Sequence, residues 1–282
     1  MRVAAQTYSF ATLLDKRQID NAAIIRFCRE LGLEAVELHG NYVRAEEMPA
    51  IQAALAETGL PVCSYGLTCD VVTADPAQRQ ARTKRFCADL ERIASLAPEG
   101  VGVIPGPPRD GVPHALARQW LSEALRAAMP VAARLGFPLT IPNVGWQPVV
   151  YGTSEQILSI CAAAGPDLKI TYDVGNFLLA GEDNMQALRR LAPRVVHVHF
   201  KDWKAVPAPA PHAYPGADGR LYEGAVLGEG VMHLPDAVKR LREIGYRGWI
   251  SVEYEGIGEP HEATRRGVAY VRSLLDALPA EA

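Results

Sequence analysis

At 282 residues, 49% hydrophobic and 22% charged, the chain can bury a large core and falls in the size range of one α/β barrel. A net charge of -3 supplies no basic field of the kind that draws a protein onto phosphate backbones, so no nucleic-acid partner is expected. No apolar run approaches the ~18 residues of a membrane helix, and the N-terminus lacks the apolar core of a signal peptide, so a soluble cytoplasmic protein without membrane partners is expected.

In chain order, Arg2 to Tyr8 reads as a strand, and the helical spacing of Ile24, Ile25, Phe27, Cys28 and Leu31 follows it and stops at Gly32. The unit repeats as Glu34 to His39 with a helix from Glu46 to Thr58. It repeats again as Leu60 to Tyr65 with a helix that Asp75 caps, Pro76 starts and Ala97 ends. Val101 to Ile104 precedes a helix from Pro113 to Leu135, which Pro130 should kink or interrupt. Phe137 to Pro142 precedes a helix capped by Thr153 or Ser154 and reaching Ala164, and Leu168 to Tyr172 precedes one from Glu182 to Leu191. Val195 to Trp203 is the seventh strand, with His197, His199 and Lys201 on one face at period two. Residues 203–232, rich in Pro, Gly and Ala without an apolar period, read as a long irregular βα loop of the kind that serves as a lid. Leu234 to Ile244 is a helix, Trp249 to Tyr254 the eighth strand and His261 to Leu278 the last helix, before a tail at 279–282 expected to be disordered.

Eight strands alternating with eight helices over residues 1–278 is the pattern of a single-domain α/β protein, a (β/α)8 TIM barrel. A doubly wound sheet is disfavoured because no G-x-G-x-x-G follows the first strand. Five scattered cysteines without a C-x-x-C pair argue against a disulfide framework or a structural zinc site. Chemistry in a barrel sits at the C-terminal strand ends. Those ends carry Tyr8, Glu37, His39, Ser64, Tyr65, Asn143, Asp173, His199, Lys201, Asp202, Glu253 and Glu255.

Asp173, His199 and Glu253 bring one imidazole and two carboxylates to one rim, a hard N/O set suited to Mn2+, Mg2+, Co2+, Fe2+ or Zn2+. Asp173 can equally cap the turn after it, and Glu253 can pair with Lys201. Glu37 and His39 share a strand face that either contacts substrate or pairs with Arg2 or Lys201. Tyr65, Trp146 and Trp203 are candidate walls on which a sugar ring would stack.

Thr171 to Phe177 (TYDVGNF), His197 to Asp202 (HVHFKD), Gly228-Glu229-Gly230 and Gly248 to Glu255 (GWISVEYE) resemble successive motifs of the sugar phosphate isomerase/epimerase group, the xylose-isomerase-like TIM barrels. The resemblance implies one divalent ion, most often manganese, held by a Glu, an Asp, a His and a Glu on strands five to eight. Asp173, His199 and Glu253 match the last three. Lys201 matches a residue near substrate, and Glu253, Lys201 and His197 are then the groups expected to move protons.

Strand five departs from the pattern. Where the family motif resembles L-x-x-E-N-H, this chain reads Leu139-Thr140-Ile141-Pro142-Asn143-Val144, and Pro142 supplies neither charge nor side-chain acceptor. The leading expectation is a divalent-metal-dependent isomerase or epimerase of a sugar or keto-sugar, acting through a metal-bound enediolate. The second is a lyase or dehydratase acting on a 3-keto sugar or glycoside. The third is a sugar-binding or scaffolding barrel without turnover, in a homo-oligomer or with a partner subunit.

Overall fold

The structure, a computed structural model, describes residues 1–208, 210 and 212–279. Its strands in chain order are β1 (Arg2–Gln6), β2 (Ala35–His39), β3 (Val62–Cys69), β4 (Val101–Pro105), β5 (Leu139–Pro142), β6 (Lys169–Asp173) and β7 (Val195–Phe200). They continue with β8 (Asp202–Val206), β9 (Tyr214–Pro215), β10 (Leu221–Ala225) and β11 (Trp249–Val252). β1 to β7 and β11 close into a barrel in the order β1-β11-β7-β6-β5-β4-β3-β2 with parallel pairing throughout, which is the expected (β/α)8 architecture.

Strand alternation divides each strand between two environments. Val36, Leu38, Val103, Ile141, Tyr172, Val198, Phe200 and Ile250 belong to the main core shared with the helices. Inside the barrel, Ala4, Ala35, Cys63 and Trp249 form a separate plug, in which three small side chains leave room for one indole. Above the plug the interior turns polar, and the site described below begins there.

Local signals set the helices. Asp75 accepts hydrogen bonds from the Ala77 and Gln78 amides, and Thr153 with Gln156 forms a capping box. The helix His114–Leu135 continues through Pro130. Of the two expected outcomes, a kink or an interruption, the interruption is absent, because proline removes a single backbone donor from a long helix whose Leu121, Leu125, Ala128 and Ala132 are buried.

Residues 203–232 are not the irregular loop expected. β8 pairs antiparallel with β10, and β10 with β9, making a small three-stranded sheet outside the barrel. The prolines at 207, 209, 211 and 215 dominated the composition and hid the alternation. A turn signal was present at Asp218-Gly219, where the carboxylate accepts from the Arg220 amide and Gly219 has φ +79°. Of the expected tail, residues 280–282 lie outside those described. No described helix is long and apolar enough to cross a membrane.

Candidate metal centre and its cavity

At the C-terminal end of the barrel a cavity of about 270 Å3 is lined by the inner faces of the strands and the loops that follow them. Its floor is a buried carboxylate. Glu37 is 1% exposed and accepts from Gln6 Nε2 at 3.0 Å. It also bonds His197 Nε2 at 2.8 Å and His199 Nε2 at 3.0 Å. Burial alone would push this carboxyl up, but His199 and His197 outweigh it and hold Glu37 well below the usual carboxylate range.

His199 is therefore anchored through Nε2, leaving Nδ1 to face the other way. Nδ1 lies 3.3 Å from Glu253 Oε2 and 3.9 Å from Asp173 Oδ2. Against the effect of burial, Glu37, Glu253 and Asp173 push the His199 imidazole up to about 9.

Asp173 is fixed by its neighbours. Its backbone N–H and C=O pair with the Asn143 side-chain amide at 2.9 and 3.0 Å, and its carboxylate accepts from the Asn176 amide at 2.8 Å and from Asn176 Nδ2 at 3.0 Å. A Cβ at Gly175 would meet Trp203 Nε1 at 2.8 Å and the Lys201 carbonyl at 2.9 Å, so the D-V-G-N turn needs glycine there. Asn143, which also lines the cavity, thus holds Asp173 in place through its backbone.

Lys201 is buried among carboxylates. Nζ lies 2.8 Å from Glu253 Oε1 and 3.4 Å from Asp173 Oδ2, and it donates to Glu255 Oε1. Burial would strip its proton, but Asp173, Glu253 and Glu255 together hold Lys201 well above the usual lysine range. Burial pushes Glu253 up to about 8 despite Lys201 and His199. Glu255 sits below the usual range because Lys201 overcomes its burial.

Two trios among the described residues offer ligand atoms within 4.8 Å of one another: Glu37, His197 and His199, and Asp173, His199 and Glu253. The first is already internally hydrogen-bonded, and His197 does not line the cavity. The second opens onto it and presents one imidazole nitrogen and two carboxylates, a donor set that fits a hard or borderline divalent cation. His199 then has the carboxylate partner on its far nitrogen that metal-binding histidines use.

The expected trio is brought together, with Lys201, Glu37, His39, Trp146 and Trp203 around the same cavity. Two expected residues fall elsewhere. Tyr65 is fully buried in the main core and points away from the cavity, because β3 turns Ser64, Gly66 and Thr68 inward. His197, expected to move protons, is bound to Glu37 and is not among the described residues that line the cavity. Glu255, Asn176 and Tyr214 carry no role in the sequence reading, yet all three line the cavity. Glu255 was recoverable, since it shares the face of Glu253 two residues on.

The family described as xylose isomerase-like TIM barrel matches residues 25–274. An inosose dehydratase of Lacticaseibacillus casei is 29% identical over 109 residues, and the match spans 36% of this chain and 36% of that protein's length. One of Geobacillus kaustophilus is 25% identical over 277 residues, covering 88% of this chain and 85% of that protein. The solved structure of 3-keto-D-glucoside 4-epimerase from E. coli superposes with a TM-score of 0.71 at 20% identity, over 97% of this chain and 99% of that one, a likeness of fold.

Proposed function

The chain belongs to the xylose isomerase-like TIM barrel family, and within it we propose a divalent-metal-dependent lyase that eliminates water from an uncharged keto-sugar or keto-cyclitol. The observation that carries this reading is the absence of a carboxylate from the β5 wall, where Pro142 lines the cavity. Carboxylates, imidazoles and the ammonium come from β2, β6, β7 and the end of β11, while the β3 to β5 wall presents Gly66, Gly102, Ile104, Pro142 and Val144. Epimerisation by two opposed glutamates needs a second carboxylate across from Glu253, and the β3 to β5 wall supplies none among the described lining residues. Elimination is served from one side. The isomerase or epimerase expectation therefore yields first place to the lyase, with one-face isomerisation second. The name of the curated relatives, inosose dehydratase, supports the same order.

Charge argues for a neutral substrate. Glu37, Asp173, Glu253 and Glu255 line the cavity, no arginine is among its described lining residues, and its one lysine is shared by three carboxylates. A phosphate or carboxylate on the substrate would meet these carboxylates with no arginine or unshared lysine to pair with, and only the metal to offset the repulsion.

Asp173, His199 and Glu253 would hold the metal, with Mn2+ the first candidate. When bound, it polarises a carbonyl and acidifies the adjacent C–H. Glu253, buried at the cavity wall beside Lys201, is the carboxylate placed to take that proton. Lys201, kept as an ammonium by its three carboxylates, donates a proton to the departing hydroxyl. Trp146, Trp203 and His39 wall the ring.

The test is a panel of keto-inositols and free ketoses with Mn2+ supplied. Mass loss of one water is expected, falling by roughly 10- to 100-fold or more in Asp173→Ala and His199→Ala. Solvent-deuterium incorporation without water loss would replace the lyase by an isomerase. No turnover on any member would leave the sugar-binding reading in its place.

A further inference from the structure

We propose that Lys201 is a built-in counter-cation of the ligand cluster, and that Glu255 is the berth to which its ammonium withdraws when a divalent cation binds. The inference rests on the metal reading above. Nζ lies 2.8 Å from Glu253 Oε1 and 3.4 Å from Asp173 Oδ2, so in the free protein the ammonium neutralises two of the three groups a metal would use. A divalent cation and an ammonium cannot share those oxygens, because like charges a few ångströms apart in a buried site repel strongly.

Lys201 has another place to go. It already donates to Glu255 Oε1, and Asn176 Oδ1 is 3.5 Å away. Neither residue belongs to the ligand trio. The lysine stem is flexible and its head is a compact charge with three rotatable donors, so a pivot toward Glu255 keeps hydrogen bonds while freeing Glu253 and Asp173. Glu255 is held in place as a berth by Tyr214, which hydrogen-bonds to it.

Pro142 sharpens the consequence. With no carboxylate from β5, the trio offers a cation only two carboxylates, and the adjacent ammonium contacts both of them. Lys201 therefore weakens metal binding in this chain while keeping the metal-free cluster folded.

Calorimetric titration of Mn2+ at pH 8 into chelator-treated wild type and Lys201→Met tests this. At least tenfold tighter binding is expected in the variant, whereas a lysine that only props up the site would give weaker or unchanged binding when lost. Should Lys201→Met not fold, Lys201→Gln, whose amide still donates to Glu255, makes the same comparison. Equal or weaker affinity in the variant overturns the proposal and leaves the metal reading standing. No binding by any of the proteins overturns both. A crystal structure with Mn2+ bound is expected to show Nζ on Glu255 and beyond about 3.5 Å from the oxygens of Glu253 and Asp173. Nζ still bonded to Glu253 beside the metal overturns the proposal.

Discussion

His199 joins two systems, with Glu37 on Nε2 and the Asp173–Glu253 pair facing Nδ1. Period-two alternation on the seventh strand was enough to place His199 and Lys201 on the inner face, and the same argument on the neighbouring strands reached Asp173 and Glu253. It failed for Tyr65 because β3 runs on to Cys69, so its last cavity-facing residue is Thr68 and not Tyr65. It reached Glu255 as a strand end but gave it no role, because what makes Glu255 matter is a lysine reaching across from the strand beside it. Pro142 lies on the inner face and lines the cavity, so a carboxylate placed there would face the ligands. Pro142→Glu is expected to tighten Mn2+ binding by about tenfold or more, as one added charge near a buried cation should. Unchanged affinity in a folded variant would show that β5 does not reach the cation.

At the scale of elements, the eight strand-helix units were legible because each rests on local signals, namely caps at Asp75 and Thr153 and glycine stops at Gly59 and Gly136. The three-stranded sheet was not, because its strands are short and its prolines outweighed its alternation. What ties that sheet to the barrel is Asp202, whose carboxylate accepts from the amides of Trp203, Gly228, Gly230 and Met232 at 2.9 to 3.0 Å. The G-E-G motif is explained by this clamp, since a Cβ on Gly230 would meet Asp202 Oδ1 at 2.1 Å and the Trp203 carbonyl at 2.4 Å. Gly230→Ala should cost about 1–3 kcal/mol, read as a lowered midpoint in denaturant unfolding. It should also loosen residues 202–232 in hydrogen exchange while leaving the barrel strands protected. Wild-type stability in that variant would mean that the clamp is not under steric constraint.

Across the whole molecule, the near-neutral surface balance conceals a cavity rich in negative charge, and metal loading should be linked to protons. With His199 pushed up to about 9 and Glu253 to about 8, both carry a proton at neutral pH before the cation arrives. Binding expels those protons, so Mn2+ affinity should rise from pH 7 toward pH 9 and fall on acidification. Titrations in two buffers of different ionisation heat should reveal the release, and a heat independent of buffer would contradict it. Loaded to 100 times its dissociation constant, the cation should add about 2.7 kcal/mol to folding, and a chelator should reverse the gain in thermal unfolding. The small sheet carries a further consequence for traffic. Trp203 and Tyr214 line the cavity from the small sheet beside Lys201 and Glu255, and Trp146, 37% exposed, lines it from the loop after β5. Of the two indoles, Trp203 is wholly buried and Trp146 is not, so the loop after β5 carries the aromatic face that an incoming ring meets first.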